Sequence, residues 1–180
     1  LAYSTVSQLS YVVMAAAVLK PLAEIGAAIH MAAHALGKIT LFFAAGALYT
    51  AAKITETRDL AGMGRRMPWT MAAFTIGALS MIGVPPTGGF VSKWYILAGA
   101  FQAESYAAIL TVILSTVLNA AYFLPLVYMA WFQETDRSEV REAPLPMVVA
   151  LTFTGLATLA FFFFNAPVIE LERQLQEDAS

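Results

Sequence analysis

Long apolar runs alternate with short polar stretches along the whole chain. A bilayer-crossing helix needs roughly 20 apolar residues, so the pattern predicts about five membrane spans. The predicted spans cover residues 6–19, 23–53, 68–102, 107–132 and 146–164. This pattern predicts an all-α fold, a polytopic transmembrane helix bundle. We assign residues 1–165 to this transmembrane domain and residues 166–180 to a polar C-terminal tail.

The third apolar run is too long for one regular helix, and its middle contains residues that interrupt helices. Pro85 and Pro86 lack backbone N–H groups, and Gly88 and Gly89 release the backbone. The run therefore consists of two helical segments joined by a break, which form either one span or two.

The basic residues favour a single discontinuous span. If residues 68–102 cross the membrane once, six basic residues lie on one side and two on the other, whereas two crossings give five against three. The six are Lys53, Arg58, Arg65, Arg66, Arg137 and Arg141, and the two are Lys20 and Arg173. The loops 53–67 and 133–142 are then expected to be cytoplasmic, with the C-terminal tail on the opposite side.

Composition agrees with a membrane location. Hydrophobic residues make up 59% of the chain and charged residues only 12%, more apolar surface than one soluble core of this size can bury. The net charge of −2 and the absence of a basic patch argue against a nucleic-acid partner. Without cysteine there is no disulfide or thiolate metal site. The chain begins at Leu1 inside an apolar stretch, so we expect a fragment that lacks its N-terminal part.

Three ionisable residues lie in the middle of the second predicted span. His30, His34 and Lys38 are four residues apart, which places them on one face of a helix about one turn from each other. Charged side chains at this depth are costly and usually face a protein interior or a water-filled cavity. Burial disfavours their charged forms, so such a row can exchange protons. We interpret it as a proton relay.

Other interpretations of this row remain open. A single buried histidine can simply be hydrogen-bonded within the bundle. Histidines four residues apart are also a zinc-binding geometry, but no third ligand is evident and Lys38 would repel a cation. A haem is less favoured because two histidines on one helix face cannot bind opposite sides of one iron. We therefore predict no metal and no cofactor.

Lys93, which follows the break by about one turn, is the second candidate. Unwound backbone at membrane depth is tolerated where it lines a cavity, and broken helices recur in transporters. Alternatively, Lys93 extends to the membrane interface from a short re-entrant turn. Glu24, Asn119 and Tyr122 are weaker candidates for accessory positions on the pathway, since each also fits an interfacial or packing role.

Three motifs resemble the antiporter-like membrane subunits shared by respiratory complex I, membrane-bound hydrogenases and Mrp-type cation/proton antiporters. They are LAYSTVSQL (residues 1–9), HMAAHALGK (30–38) with LFFAAG (41–46), and GVPPTGGFVSK (83–93). Residues 64–94 are most similar to the D subunit of the Mrp-type antiporters. The resemblance implies two inverted repeats, each with one broken helix, of which this chain supplies the C-terminal part.

The resemblance also implies residue roles. Lys38 matches the central lysine of the family, His30 and His34 match positions that link it to water, and Lys93 matches the broken-helix residue that gates the exit. The implied function is translocation of protons, or exchange of Na⁺ or K⁺ for protons, in a bacterial or archaeal inner membrane beside other membrane subunits. A scaffold that no longer transports ions is the alternative, followed by a metal- or haem-binding membrane protein.

Overall fold

A computed structural model describes residues 2–134 and 139–178. Leu1, Arg137 and residues 179–180, which entered the sequence predictions, lie outside the described residues, as do the neighbours of Arg137 in the same loop.

Within the described residues, every regular element is helical, which confirms the all-α prediction. The helices are α1 (Ala2–Ala17), α2 (Pro21–Ala52), α3 (Met63–Arg66), α4 (Pro68–Ile82), α5 (Gly88–Gln102), α6 (Tyr106–Phe132), α7 (Leu145–Phe163) and α8 (Ala166–Asp178), with a 3₁₀ turn at Thr57–Leu60. In this part of the chain, 3 helices (α2, α6 and α7) are long and apolar enough to cross a membrane alone, and α4 is a shorter apolar helix.

Proline and left-handed residues set several helix boundaries. Pro21 begins α2 and Pro68 begins α4, positions where the missing N–H costs nothing. Lys53 ends α2 in the left-handed conformation with φ of 54°, and its N–H bonds back to the carbonyl of Tyr49. The boundaries agree closely with the predicted spans because these signals are local in sequence.

Helix α2 runs antiparallel to α4 and α5 taken together. Close contacts pair Ala23 with Gly99, Gly26 with Ile96, Ala33 with Gly88, Gly37 with Ser80, and Leu41 with Gly77. The 32 residues of α2 extend about 48 Å, and α4 and α5, with 15 residues each, extend about 45 Å in sum. The two short helices thus line a single long one, which confirms the prediction of one discontinuous helix.

Both polar loops lie at the same end of the bundle. The Gly62 N–H donates to the Met129 carbonyl at 3.1 Å, and Gly64 packs directly on the Trp131 indole. Glu142, at the end of the second loop, accepts a hydrogen bond from the Trp69 N–H at 3.0 Å. This arrangement agrees with one crossing for residues 68–102, and the cytoplasmic location of this end stays a prediction.

Helix α7 covers the break from another side, and α8 packs on α2. Phe161 of α7 packs against Gly88, and Gly155 lies near Thr40. The segment predicted as a polar tail forms α8, which packs on α2 and leaves Leu171 and Leu175 exposed. The boundary between domain and tail at residues 165–166 stays a prediction.

The close approach of α2 and α5 depends on glycine. A Cβ atom at Gly26 would lie 2.6 Å from the Ile96 backbone nitrogen, whereas one at Gly46 would meet nothing nearer than 3.8 Å. We expect Gly26→Ala to destabilise the protein by about 1–3 kcal/mol through overpacking. Gly46→Ala, on the same helix, should be neutral or slightly stabilising because alanine favours helices. Thermal unfolding of both variants measures the difference, and equal melting temperatures would contradict the packing described.

Candidate functional site

The break between α4 and α5 leaves two backbone carbonyls without their usual partners. In a continuous helix the Met81 and Ile82 carbonyls would accept from the N–H groups of residues 85 and 86. Both of those residues are proline and have no N–H group. Because buried carbonyls need hydrogen-bond donors, other groups must supply them.

The Lys93 ammonium supplies these hydrogen bonds from the other side of the break. Its Nζ donates to the Met81 carbonyl at 3.1 Å and to the Ile82 carbonyl at 2.8 Å. The Gln8 amide of α1 donates to the same Met81 carbonyl at 3.3 Å. The carbonyl end of a helix carries partial negative charge, so it attracts a cation. Lys93 is 6% exposed and points inward, which removes the interpretation that it extends to the membrane interface.

The histidine row is buried beside the break. His30 is 2% exposed, His34 is 8% exposed and Lys38 is 5% exposed. The two imidazole rings are nearly parallel, with centroids 6.0 Å apart. Lys38 interacts electrostatically with His34, and Lys93 does so with His30. The structure therefore brings the four predicted residues together, with a lysine at each end of the two histidines.

His30 contacts both α5 and α1. Its Nδ1 lies 2.9 Å from the Ser92 hydroxyl, which also lies 3.0 Å from the Gly89 carbonyl. The Tyr11 ring of α1 packs against the His30 ring, with centroids 5.3 Å apart, and the Lys93 Nζ lies 5.2 Å from the Tyr11 ring centroid. Such an arrangement allows a cation–π contribution of about 0.5–2 kcal/mol. Tyr11 thus contacts two basic groups of the site.

At the other end of the row, Lys38 bonds to α1. Its Nζ donates to the Ser4 hydroxyl at 2.5 Å and lies 5.7 Å from the Phe42 ring centroid. Tyr122 of α6 also interacts with Ser4 through its hydroxyl. The accessory candidate Tyr122 is therefore joined to the row through one intermediate side chain.

The other two accessory candidates lie on α6 and at the start of α2. Asn119 of α6 is 4% exposed, and its Nδ2 has no hydrogen-bond partner within the described residues. Glu24 lies in the first turn of α2, half-buried. No observation assigns either residue to the pathway, so both stay predictions.

A cavity of about 240 Å³ reaches Lys93 from the side of α6. It is lined mainly by apolar side chains of α5 and α6, together with the Thr116 hydroxyl. Lys93 thus lines this cavity, and its role as a gate stays a prediction.

Within the described residues, no three side chains of histidine, cysteine, aspartate or glutamate are grouped to hold a metal ion. Among these residues, no third side chain of these types lies beside the two histidines.

Comparison with known proteins identifies the family. The family described as "NADH:quinone oxidoreductase/Mrp antiporter, TM" matches residues 1–119. The chain belongs to this family. Since the family is described as transmembrane, the chain is an integral membrane protein, as the sequence predicted, and the predicted family resemblance is confirmed.

Relatives of this antiporter-family chain include subunits of oxidoreductases and of antiporters. NADH-quinone oxidoreductase subunit N of Desulforudis audaxviator is 35% identical over 94% of this chain and 36% of its own length. The D subunit of the Na(+)/H(+) antiporter of Alkalihalophilus pseudofirmus is 32% identical over 94% of this chain and 36% of its own length. The chain thus spans about a third of the length of the curated relatives it matches.

Two solved structures share the antiporter-family fold. A chain of the Mrp complex from Dietzia sp. DQ12-45-1b has a TM-score of 0.85 at 20% identity, over 94% of this chain and 40% of that one. A chain of a membrane-bound sulfane sulfur reductase, an archaeal respiratory membrane complex, has a TM-score of 0.80 at 28% identity, over 89% of this chain and 27% of that one. Both neighbours belong to multisubunit membrane complexes.

Sequence reasoning did not find every residue of the site in this antiporter-family chain. Ser4, Gln8 and Tyr11 lie on one face of α1, and this spacing alone does not distinguish site residues from packing residues. Ser92 gave no signal, because a serine beside a lysine has no distinctive spacing. Only the packing of α5 on α2 brings it to His30.

Glu142 caps the N-terminal end of α4, which is the end away from the break. Its carboxylate accepts from the Trp69 N–H at 3.0 Å and from the Thr70 hydroxyl, both in the first turn of α4. A carboxylate at a helix N-terminus satisfies free N–H groups and interacts favourably with the helix dipole. Since α4 carries the Met81 and Ile82 carbonyls at its other end, Glu142 helps to set the position of the Lys93 site.

We expect Glu142→Ala to lower the stability of the protein by about 1–2 kcal/mol, because the first turn of α4 loses its cap. Glu139→Ala, which removes an exposed carboxylate from the same loop, is the matched control and should change little. Thermal unfolding of the solubilised complex measures both, and a Glu142→Ala melting temperature equal to that of the control would contradict the capping role.

Proposed function

We propose that this chain is the C-terminal part of a subunit that translocates protons, or exchanges a monovalent cation such as Na⁺ or K⁺ for protons, across a membrane. Lys38 holds and releases a proton, His30 and His34 relay it, and Lys93 gates exchange at the break. The observation that carries this proposal is the buried row in which two lysines flank two stacked histidines.

The row has the geometry that proton relay requires. Neighbouring histidine rings 6.0 Å apart leave room for a bridging water or for direct ring motion. His34 has two ring nitrogens without a hydrogen-bond partner among the described residues, although it is almost fully buried. Buried polar nitrogens of this kind call for water, because an unsatisfied buried polar group is costly. The row therefore supports a hydrated path.

Lys93 supports a gating role through its hydrogen bonds. As an ammonium it bonds to two carbonyls of α4, and loss of its proton weakens both charge-assisted bonds. Protonation of Lys93 is thereby linked to the strength of the contact between α4 and α5, the two halves of the broken helix. Tyr122, Glu24 and Asn119 serve as accessory positions, with Tyr122 joined to Lys38 through Ser4.

The subunit acts within a larger assembly. Its structural neighbours are chains of multisubunit membrane complexes, and we propose that other membrane subunits and the lipid bilayer are its partners. Exposed apolar side chains along α6, including Leu114 and Leu118, fit contact with lipid or with such subunits.

Proton transport in inverted membrane vesicles tests the proposal, with variants made in the full-length subunit within its complex. We expect Lys38→Ala and Lys93→Ala each to lower transport by about 100-fold or more, since each removes a proton-carrying group. Lys53→Ala is the matched control, because Lys53 lies at the exposed end of the same helix as Lys38.

Undiminished transport in both Lys38→Ala and Lys93→Ala would reject the proposal and support a scaffold that does not itself move ions. Loss in all three lysine variants would indicate failed assembly, so the amount of assembled complex is measured for each. Absorbance spectra and metal analysis of the purified complex test the haem- and metal-binding alternative.

A further inference from the structure

Ser92 is a buried hydroxyl with two hydrogen-bonding neighbours and a single hydrogen to donate. The residue is 0% exposed. Its Oγ lies 2.9 Å from the His30 Nδ1 and 3.0 Å from the Gly89 carbonyl oxygen. Both distances are ordinary for hydrogen bonds, so the Ser92 hydroxyl can donate to either neighbour by rotation of its hydrogen alone.

The direction of the bond depends on whether the His30 Nδ1 carries a proton. When Nδ1 carries no proton it accepts the Ser92 hydrogen. When His30 is protonated on both nitrogens, Nδ1–H donates to the Ser92 oxygen, and the hydroxyl then donates to the Gly89 carbonyl. A rotation about one C–O bond converts the first arrangement into the second.

The surroundings make such an acceptor necessary. Titratable groups face His30 from three helices: Tyr11 of α1, His34 of α2 and Lys93 of α5. Positive charge on His34, whose ring lies 6.0 Å from that of His30, or on Lys93 repels a proton arriving at His30. A hydroxyl that accepts from Nδ1–H gives the charged ring a stabilising contact.

We propose that Ser92 is a positioning residue whose rotating hydroxyl keeps His30 hydrogen-bonded in both its neutral and its charged form, and so lets the relay pass a proton through this ring. The inference rests on the proposed function and deepens it. Ser92 also contacts the Gly89 carbonyl in the first turn of α5 and is adjacent to Lys93, which bonds across the break.

Transport in a double-mutant cycle tests the functional part. We expect Ser92→Ala to slow proton transport about tenfold, since a hydrogen bond to a charged group is lost. In a His30→Gln background, Ser92→Ala should cause no further loss, because Ser92 acts through His30. Thr158→Val, which removes an equally buried hydroxyl that bonds within α7, should change the rate in neither background. Additive losses from Ser92→Ala and His30→Gln would overturn the inference.

Nitrogen-15 NMR of histidine-labelled complex tests the contact itself and needs no measurable transport. The His30 signals are assigned by their absence in His30→Gln. In the unmodified complex, we expect the His30 Nδ1 to show the shift of a hydrogen-bonded nitrogen, and in Ser92→Ala to move to that of a free one. A free Nδ1 in the unmodified complex would overturn the inference even if Ser92→Ala fails to assemble.

The two proposals fail in different ways. If the proposed function is wrong, Lys38→Ala and Lys93→Ala transport normally whatever the His30 spectrum shows. If this inference is wrong, those lysine variants still lose transport while the His30 signals are the same with serine or alanine at position 92.

Discussion

The Met81 and Ile82 carbonyls must find donors other than the backbone, and most of the site follows from that requirement. Two consecutive prolines remove the N–H groups that would bond to these carbonyls in a continuous helix. In a membrane no bulk water replaces them. The Lys93 ammonium therefore folds back onto α4, and Gln8 of α1 adds a further donor. A lysine that would be costly at this depth becomes the group that completes the backbone hydrogen bonding.

The second requirement is that the break and the histidine row lie at the same level. Helix α2 supplies this by running uninterrupted along both halves of its broken neighbour, with glycine contacts that bring the backbones close. Gly88 lies against Ala33, and Ser80 lies against Gly37, so the break faces the stretch of α2 that contains His34. The uninterrupted helix α2 thus fixes the positions of the two short helices α4 and α5 relative to each other.

Much of the fold could be predicted from sequence because the deciding signals are local. Hydropathy indicated the membrane spans, and prolines marked the starts of helices. The spacing of four residues placed His30, His34 and Lys38 on one face of α2. What could not be predicted depends on pairing between distant segments. The contact of Ser92 with His30 joins residues 62 apart in sequence, and the capping of α4 by Glu142 spans 73. Neither pair has a periodicity that a single sequence reveals.

Helix α7 adds one consequence. The family match covers residues 1–119, yet Phe161, well beyond it, rests directly on Gly88 at the start of α5. One wall of the break is therefore built by a helix that lies outside that match. A change of side-chain volume at Phe161 can alter how much space surrounds the break while every motif residue stays the same. Two chains with identical motifs can thus differ in the hydration of the break, and hence in the conductance of the proposed pathway.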